Sequence, residues 1–458
     1  MARRPGLVIR EKRLNGIGAW LGSSSPILAE FASGDAAQRV RTFSETAPDD
    51  VTAALSFLGA IEGAAIVVHA PRGCAAAALA QKGAAAFAVT GLDQRDTIIG
   101  SGEALARTIR SLVERHRPWV VFVVGGPVVA INSDDIRSVA AELTETLGIP
   151  VLQVQTDGFR SRIAATGYDA ATKVALALAS APFALGREDV VREDVVNVIA
   201  LDARVGDGIA TLLEPLGLRA NLLPGGANAA SFELAGKALL SVPFDGDAGT
   251  AFAQGLAESA GVPLLLLPPP IGLSATRAWS EAVAAATGRS ARLQADHPEA
   301  ERVLEGARVH VALSPALAFA AAGLVEELGG AISALTIDYL DKAHLPAAKA
   351  FADRWPEATL HVAAGQPFEI ANLLSKINPD LFIGPPALAA VASQAGIAAF
   401  GVAPHRLIGA GGAEWLANKA RNALANRAFA ARLAGSRSSY ASGWYRRSAD
   451  WHIKQEVR

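Results

Sequence analysis

The sequence predicts an α/β protein made of three consecutive doubly wound, Rossmann-like units, each built on a parallel sheet. Short, wholly apolar runs recur along the chain, and segments with helical apolar spacing separate them. Elements that alternate in this way are typically joined by right-handed crossovers into parallel sheets. The chain has 458 residues, 51% of them hydrophobic, which suits about three domains at ~150 residues each.

The first α/β unit is predicted over residues 51–190. Its clearest strand is the apolar run Trp119–Val124, which a Gly-Gly-Pro turn ends and which is typical of a buried parallel strand. A helix is predicted from Ser133 to Leu147, because a Ser-Asp-Asp N-cap region opens it and a glycine closes it. Val151–Val154 is the next strand, so this stretch forms a βαβ unit.

The second unit is predicted over 191–305 and the third over 306–435. In the second unit we predict strands at 196–201 and 219–223 and helices at 206–216, 250–260 and 274–287. In the third we predict strands at 309–313, 334–338, 360–363, 381–384 and 398–402.

Two terminal segments complete this division of the chain. The N-terminal segment spans 1–50, and the C-terminal tail, 436–458, concentrates aromatic and basic residues. Such a tail could form a protein interface or fold back on its own chain, and the sequence leaves both interpretations open.

Composition and charge exclude several classes of protein. The net charge is −2 with no basic block, which argues against a nucleic-acid-binding surface. No apolar run of about 18 residues is present, so we expect no membrane span, and the charged start lacks the apolar segment of a signal peptide. A single cysteine excludes an internal disulfide, so we predict a cytoplasmic protein. The chain also lacks a phosphate loop, so we do not expect it to hydrolyse ATP.

Cys74, the only cysteine, is the leading candidate for a metal ligand. It follows the apolar run that ends at His69, and a Pro-Arg-Gly turn presents it where a strand would end. Ligands of doubly wound sheets lie at the carboxyl ends of the strands. One thiolate cannot hold an iron–sulfur cluster alone, since such clusters usually take four ligands, so the others would come from a second chain. The alternative is a small, buried, apolar cysteine.

The remaining candidates are weaker. The eight histidines show no metal-ligand spacing, and His405, after a strand end, is the best placed for a functional imidazole. The glycines Gly409, Gly411 and Gly412 could open a helix that binds an anion, although a plain tight turn explains them as well.

Several segments, in order, resemble the nitrogenase component 1 superfamily, which includes nitrogenase-like reductases. His69-Ala-Pro-Arg-Gly-Cys74 is similar to that family's His-Gly-x-x-Gly-Cys turn, with Ala70 where the family usually has glycine. The segment Thr90–Leu105, the pair Asp134-Asp135 and the segment Gln155–Phe159 are similar to its next blocks. Further similarity lies in Gly167-Tyr168 and in the third-domain strand Asn378–Gly384.

This resemblance implies that Cys74, with Gly73 beside it, binds an interface iron–sulfur cluster, of the 4Fe-4S type or larger, shared with an α-type partner. It implies a heterotetramer and electron delivery by an ATP-dependent iron–sulfur reductase protein. A subunit that binds the eight-iron cluster of true nitrogenase would be expected to supply three cysteines, and this chain has one.

The chain therefore resembles a β-type subunit of a nitrogenase-like reductase, for example of the methylthio-alkane reductase type. The alternative is the smaller subunit of a scaffold that assembles an iron–sulfur cofactor and turns over no substrate. The resemblance assigns no catalytic residues.

Overall fold

A computed structural model describes residues 16–34, 36–45, 49–75, 83–158, 164–180, 191–244, 246–290, 301–434 and 440–455. The start of the chain, on which the signal-peptide expectation rests, and Phe159 lie outside these residues. The described strands, in chain order, are β1 (Gly16–Ile17), β2 (Ala19–Gly22), β3 (Arg39–Arg41), β4 (Ala65–His69), β5 (Ala86–Val89), β6 (Val121–Gly125), β7 (Val151–Val154), β8 (Glu193–Ala200), β9 (Arg219–Pro224), β10 (Ala238–Pro243), β11 (Arg308–Ala312), β12 (Ala331–Ile337), β13 (Leu340–Asp341), β14 (Thr359–Ala363), β15 (Leu381–Gly384), β16 (Ala398–Gly401) and β17 (Ile453–Gln455).

Helices connect most of these strands. The described α-helices are Ser24–Ser33, Asp50–Gly59, Arg72–Ala75, Gln94–Ile99, Gly102–His116, Pro127–Asn132, Ile136–Leu147, Ala164–Ser180, Val205–Leu213, Ala229–Ala235, Gly246–Ala260, Leu273–Thr287, Pro315–Glu327, Leu345–Arg354, Pro367–Ile377, Pro386–Gln394, Gly409–Ala425, Arg427–Leu433 and Ser442–Tyr445. Within the described ranges, no helix is both long and apolar enough to cross a bilayer.

The chain divides into two compact units, and the first contains two parallel sheets. This unit comprises 49–267 and 284–290 among the described residues. One sheet has four strands in the order β5-β4-β6-β7, and the other has three in the order β10-β8-β9. All these strands pair in parallel. Strands β4 and β6 are buried along their whole length, which explains why they read as continuous apolar runs.

The second unit is built on a six-stranded sheet. It comprises 16–45, 268–283 and 301–455 among the described residues. The strand order is β16-β15-β11-β12-β14-β2. The strands are parallel except β2, which joins the edge antiparallel to β14. The parallel sheets and their helices confirm the α/β, Rossmann-like fold class, whereas the antiparallel edge strand from the N-terminal segment was not predicted.

The C-terminal tail folds back on its own unit over its described part, 440–455. Strand β17 pairs antiparallel with β3. Trp444 lies edge-on against Phe368, with ring centroids 5.0 Å apart, and Nε2–H of His452 donates to the buried carboxylate of Glu369 at 2.8 Å. The structure therefore favours the second of the two interpretations left open for this tail.

Several assignments from the sequence change in the structure. The helix predicted from Ser133 begins at Ile136, after a separate helix Pro127–Asn132, and the strand predicted from residue 334 begins at Ala331. Strand β8 begins at Glu193, earlier than the predicted residue 196, because Val195 already packs in the core. The sequence analysis also missed β5 and β10, whose alanine and serine positions dilute the apolar signal. The borders at residues 50, 190, 305 and 435 stay predictions.

Candidate functional site

The candidate site lies at the carboxyl end of the four-stranded sheet of the first unit. From β4 the chain passes to β5 on one side of the sheet and then crosses to β6 on the other side. The strand order therefore reverses between the neighbouring strands β4 and β6. Such a switch point opens a crevice at the carboxyl ends of the two strands. The turn that carries Cys74 follows β4, and the turn at Gly126-Pro127 follows β6.

Cys74 sits on a single helical turn, Arg72–Ala75, directly beyond β4. Its backbone N–H donates to the carbonyl of Pro71 at 3.1 Å, which holds the turn closed. The residue is exposed to solvent, so the alternative of a buried apolar cysteine is wrong. Gly73 is exposed too, and a Cβ placed on it would meet no atom of the described residues within 4 Å. The surface around Gly73 is therefore open to an approaching group.

The two turns are in tight contact at Ala70 and Gly126. The backbone N–H of Gly126 donates to the carbonyl of His69 at 3.1 Å. A Cβ placed on Gly126 would lie 2.8 Å from the Cβ of Ala70, which is fully buried. Glycine at 126 is therefore what permits alanine at 70, the position at which this chain departs from the motif it resembles.

His69 anchors the base of the Cys74 turn. Its Nε2 lies 2.8 Å from the hydroxyl of Ser101, and its Nδ1 lies 3.2 Å from the hydroxyl of Thr90. Ser101 in turn donates to a carboxylate oxygen of Asp134. The backbone N–H of Ala70 donates to the same Thr90 hydroxyl at 3.0 Å. The network thus ties the turn to two other segments.

The proton positions in this network follow from counting donors. The Ser101 hydroxyl gives its proton to Asp134, so it must accept a hydrogen bond from His69 Nε2–H. His69 Nδ1 is then the acceptor for the Thr90 hydroxyl. Burial lowers the pKa of His69 to about 4, and the charges of Asp134 and Asp96 oppose this shift only in part. His69 is therefore neutral near pH 7 and serves to position the turn.

A buried carboxylate supports the neighbouring turn after β7. Asp50, at the start of the helix Asp50–Gly59, accepts hydrogen bonds from the backbone N–H groups of Asp157 and Gly158 at 2.9 and 2.8 Å. Burial raises the pKa of Asp50, and the two backbone hydrogen bonds oppose that rise. A Cβ on Gly158 would lie 2.8 Å from Pro127, so this turn packs directly on the one beyond β6.

Three exposed isoleucines lie on helices at the same end of the sheet. Ile98 and Ile99 are 83% and 73% exposed on the helix Gln94–Ile99, which follows β5, and Ile131 is 70% exposed on the helix Pro127–Asn132, which follows β6. The side chain of Asn132 donates to the carbonyl of Thr97 at 3.2 Å and links the two helices. We call these three side chains the isoleucine ridge. Clustered exposed apolar residues mark interaction surfaces.

The chain's own residues can supply one thiolate to a metal group at this site. No group of three or more His, Cys, Asp or Glu side chains with metal-binding geometry occurs in the described part of the chain. The exposed Cys74 fits a cluster completed by ligands from another chain, because one face of its turn is open. His69 does not fit as a ligand, since both its ring nitrogens are engaged.

The structure brings together segments that the sequence analysis named separately. The segments that begin at His69, Thr90 and Asp134 meet in one network. The roles of Ser101 and Thr90 were missed, because a lone hydroxyl carries no spacing signal. A signal existed only in their position within the Thr90–Leu105 segment that resembles the family.

Other candidates lie in the second unit. His405 is partly buried in a short 3-10 helix, Pro404–Leu407. Gly409 opens the helix Gly409–Ala425, and a Cβ on Gly412 would lie 2.2 Å from the backbone carbon of Leu407. Close packing therefore explains Gly412 without an anion.

Solved structures with this fold include a nitrogenase. The structure titled "Nitrogenase Cp1 at pH 6.5" superposes with a TM-score of 0.71 and covers 85% of this chain and 94% of that chain. The two sequences are 16% identical, so this likeness shows the fold alone.

Curated relatives share shorter stretches. The nitrogenase iron-molybdenum cofactor biosynthesis protein NifE of Klebsiella pneumoniae is 32% identical over 108 residues, which cover 22% of this chain and 24% of that protein. The nitrogenase iron-molybdenum cofactor biosynthesis protein NifN of Bradyrhizobium diazoefficiens is 26% identical over 183 residues, which cover 37% of this chain and 38% of that protein. The matches thus span less than two fifths of these relatives.

A protein-family model covers much more of the chain. The model described as nitrogenase component 1 type oxidoreductase matches residues 51–425, which include the Cys74 turn and most of both compact units. Because this match spans well over half of the sequence, the chain belongs to the family of nitrogenase component 1 type oxidoreductases.

Proposed function

We propose that the chain is the β-type subunit of a nitrogenase-like reductase complex, in which Cys74 supplies one thiolate to an iron–sulfur cluster shared with an α-type partner. The observation that carries this proposal is the exposure of the only cysteine at the carboxyl end of the four-stranded sheet. An iron–sulfur cluster usually takes four ligands, so the partner would provide the rest. We expect a heterotetramer in which two copies of each chain are arranged about a two-fold axis.

The isoleucine ridge supports a protein partner at this end of the sheet. The three isoleucines are each at least 70% exposed, so their apolar side chains stay in unfavourable contact with water until another chain covers them. Their helices follow the strands beside the one that leads to Cys74. A partner that covers the ridge would also reach the open face of the Cys74 turn.

The residues around Cys74 would hold the thiolate in place. His69, neutral and fixed by two hydroxyl groups, keeps the base of the turn rigid. The packing of Gly126 on Ala70 fixes the turn against β6. When bound, such a cluster would accept and donate single electrons, which suits a relay from an ATP-dependent iron–sulfur reductase protein to a metallocofactor in the α-type partner.

A second candidate function is a cofactor-assembly scaffold without substrate turnover. The observation that favours it is the naming of the curated relatives, which are cofactor biosynthesis proteins. The two functions separate in one assay on the purified complex. Reduction of a small substrate with the reductase protein and ATP supports the reductase, whereas transfer of a preformed cofactor to an acceptor protein without turnover supports the scaffold.

The ligand role of Cys74 is tested by its replacement in the complex co-expressed with the α-type partner. Cys74→Ala should lower iron per complex and remove the visible charge-transfer absorbance, while Cys74→Ser should retain part of both, since oxygen is a weaker ligand for iron. Ser111→Ala, an exposed residue on the helix Gly102–His116, is the matched control and should keep the full iron content. Unchanged iron in an assembled Cys74→Ala complex would refute the proposal.

A further inference from the structure

Strand β7 forms one edge of the four-stranded sheet in the first unit. It pairs with β6 on one side, and among the described strands none pairs with its other side. A groove of about 350 Å³ runs along that free side. The helices Ile136–Leu147 and Ala164–Ser180 form its walls, and β7 lies at its floor.

The register of the ladder determines which backbone groups of β7 face the groove. The N–H of Val121 donates to the carbonyl of Pro150 at 2.9 Å, and Val121 lies opposite Val151. In a parallel ladder, residues that bond to the neighbouring strand alternate with residues whose N–H and carbonyl point away from it. Leu152 therefore bonds to β6, whereas the peptide groups of Val151 and Gln153 point into the groove.

The two outward-facing residues differ in whether the chain satisfies them. The hydroxyl of Thr144 accepts from the N–H of Val151 at 3.0 Å. The backbone N–H and carbonyl of Gln153 have no such partner in the part of the chain that the structure describes. Unpaired groups on an edge strand are a template for the main chain of a further strand.

The walls of the groove leave room for a polypeptide backbone. Four alanines line them: Ala140, Ala141, Ala170 and Ala177. The two helices lie on opposite faces of the sheet, because Ala140 shares a core with Val123 of β6 whereas Ala170 shares another core with the adjacent Phe122. A strand added to β7 would run between the helices, and its successive side chains would point to one wall and then the other.

Each wall carries one exposed cation, Arg137 on the first helix and Lys173 on the second. No carboxylate lines the groove among the described residues. The carboxylate of Asp135, which attracts Arg137, accepts from the N–H of Ser138 at 3.0 Å at the helix start and forms no ion pair with the guanidinium. Two successive carboxylates on an added strand would therefore face one cation each.

We infer that the free edge of β7 binds an extended acidic segment of another protein by strand addition, with two successive Asp or Glu residues at the centre of that segment. About four residues of it, at ~3.3 Å each, match the length of β7. Its main chain pairs with the N–H and carbonyl of Gln153, and its two carboxylates face Arg137 and Lys173. A second copy of this chain is disfavoured, because two β7 edges would bring four cations together. The inference does not depend on the proposed role of Cys74.

Fluorescence anisotropy on the full chain in its complex tests this inference with a labelled hexapeptide, Thr-Val-Glu-Asp-Val-Thr, blocked at both ends. The peptide should bind saturably with one site per chain. The same peptide with Lys-Lys at its centre should bind about tenfold or more weakly at low salt, because it repels both cations. A peptide with its four central amides N-methylated should also bind about tenfold or more weakly, because it cannot donate to the edge of β7.

Two variants with matched controls locate the site. Gln153→Pro removes the outward N–H but none of the bonds to β6, as edge strands permit, and should weaken binding about tenfold or more. Gln153→Thr keeps that N–H and should bind like the parent. Lys173→Glu should weaken binding about fivefold at low salt and less at high salt. Lys237→Glu, at an exposed lysine before β10, should bind like the parent.

Four outcomes would overturn the inference: no saturable binding of the acidic peptide, equal binding of its N-methylated form, no effect of Lys173→Glu at low salt, or self-association of the chain that folded Gln153→Pro abolishes. The last would make a second copy the occupant of the edge. Circular dichroism and melting temperature establish that each variant is folded. If Gln153→Pro does not fold, the N-methylated peptide decides on strand pairing, because that comparison uses the unaltered chain.

Discussion

The contact between Gly126 and Ala70 permits a quantitative test of the packing beneath the Cys74 turn. In Gly126→Ala the new Cβ would lie 2.8 Å from the Cβ of Ala70, whereas carbon atoms pack best at roughly 3.5–4.0 Å. The backbone of Gly126 is extended, with φ −90° and ψ 176°, so alanine meets no backbone strain there. Overpacking of this kind lowers the free energy of unfolding by about 1–3 kcal/mol. Replacing glycine by alanine also reduces the entropy of the unfolded chain, which raises the free energy of unfolding by about 0.4–1 kcal/mol.

The double variant Ala70→Gly/Gly126→Ala separates this clash from other effects. Ala70→Gly alone should destabilise the turn, because it removes a fully buried methyl group and adds freedom to the unfolded chain. The double variant should lose less stability than the sum of the losses in the two single variants. The difference, which is the interaction energy between the two positions, should be about 1–3 kcal/mol.

Native-state hydrogen exchange is the suitable assay, since a chain with two compact units need not unfold in one step. The opening free energy of the peptide that contains the Gly126 N–H is compared among the parent and the three variants. Additive effects of the two substitutions, or a stabilised Gly126→Ala, would refute the assigned packing. Gly148→Ala provides a control for backbone strain without a clash, because φ is +68° there and a Cβ would meet no atom of the described part of the chain within 4 Å.

Three further predictions concern charged groups. Because the pKa of buried His69 is about 4, the unfolded chain takes up a proton between about pH 6.5 and 4 that the folded chain does not. The free energy of unfolding should therefore fall by up to about 3 kcal/mol as the pH is lowered through this window. His69→Gln should flatten this part of the pH profile of the unfolding free energy. Glu369→Gln should destabilise the second unit by about 3–5 kcal/mol and expose the tail to limited proteolysis, because it leaves the largely buried guanidinium of Arg41, whose side chain is 10% exposed, without its charged partner. The exposed Glu305→Gln should leave the tail protected, and equal cleavage of both variants would contradict this. Arg72→Glu, on the exposed turn of Cys74, should weaken turnover with the reductase protein at low salt and less at high salt, with iron content unchanged; full activity at low salt would count against docking near this turn.

Local patterns determined much of the fold class. The strands at 151–154 and 381–384 have the predicted bounds, because each is a mainly apolar run with turn-forming residues on either side. The same reasoning placed Cys74 just beyond a strand end, since Pro71 and Gly73 cannot continue the apolar run. The resemblance to a family, rather than any spacing, supplied the expectation of an iron–sulfur cluster.

Long-range pairing was decided only by the tertiary structure. Nothing in residues 19–22 or 453–455 indicates that they join strands more than 300 residues away in sequence, because a strand's partner depends on chain topology and its own few side chains do not encode it. The network of His69, Ser101 and Asp134 likewise combines three segments whose polar residues are unremarkable one by one. The exposure of Cys74 was undetermined for the same reason: the apolar residues around it are compatible with burial, and only the packing of the loops at the carboxyl end of the sheet leaves the thiol at the surface.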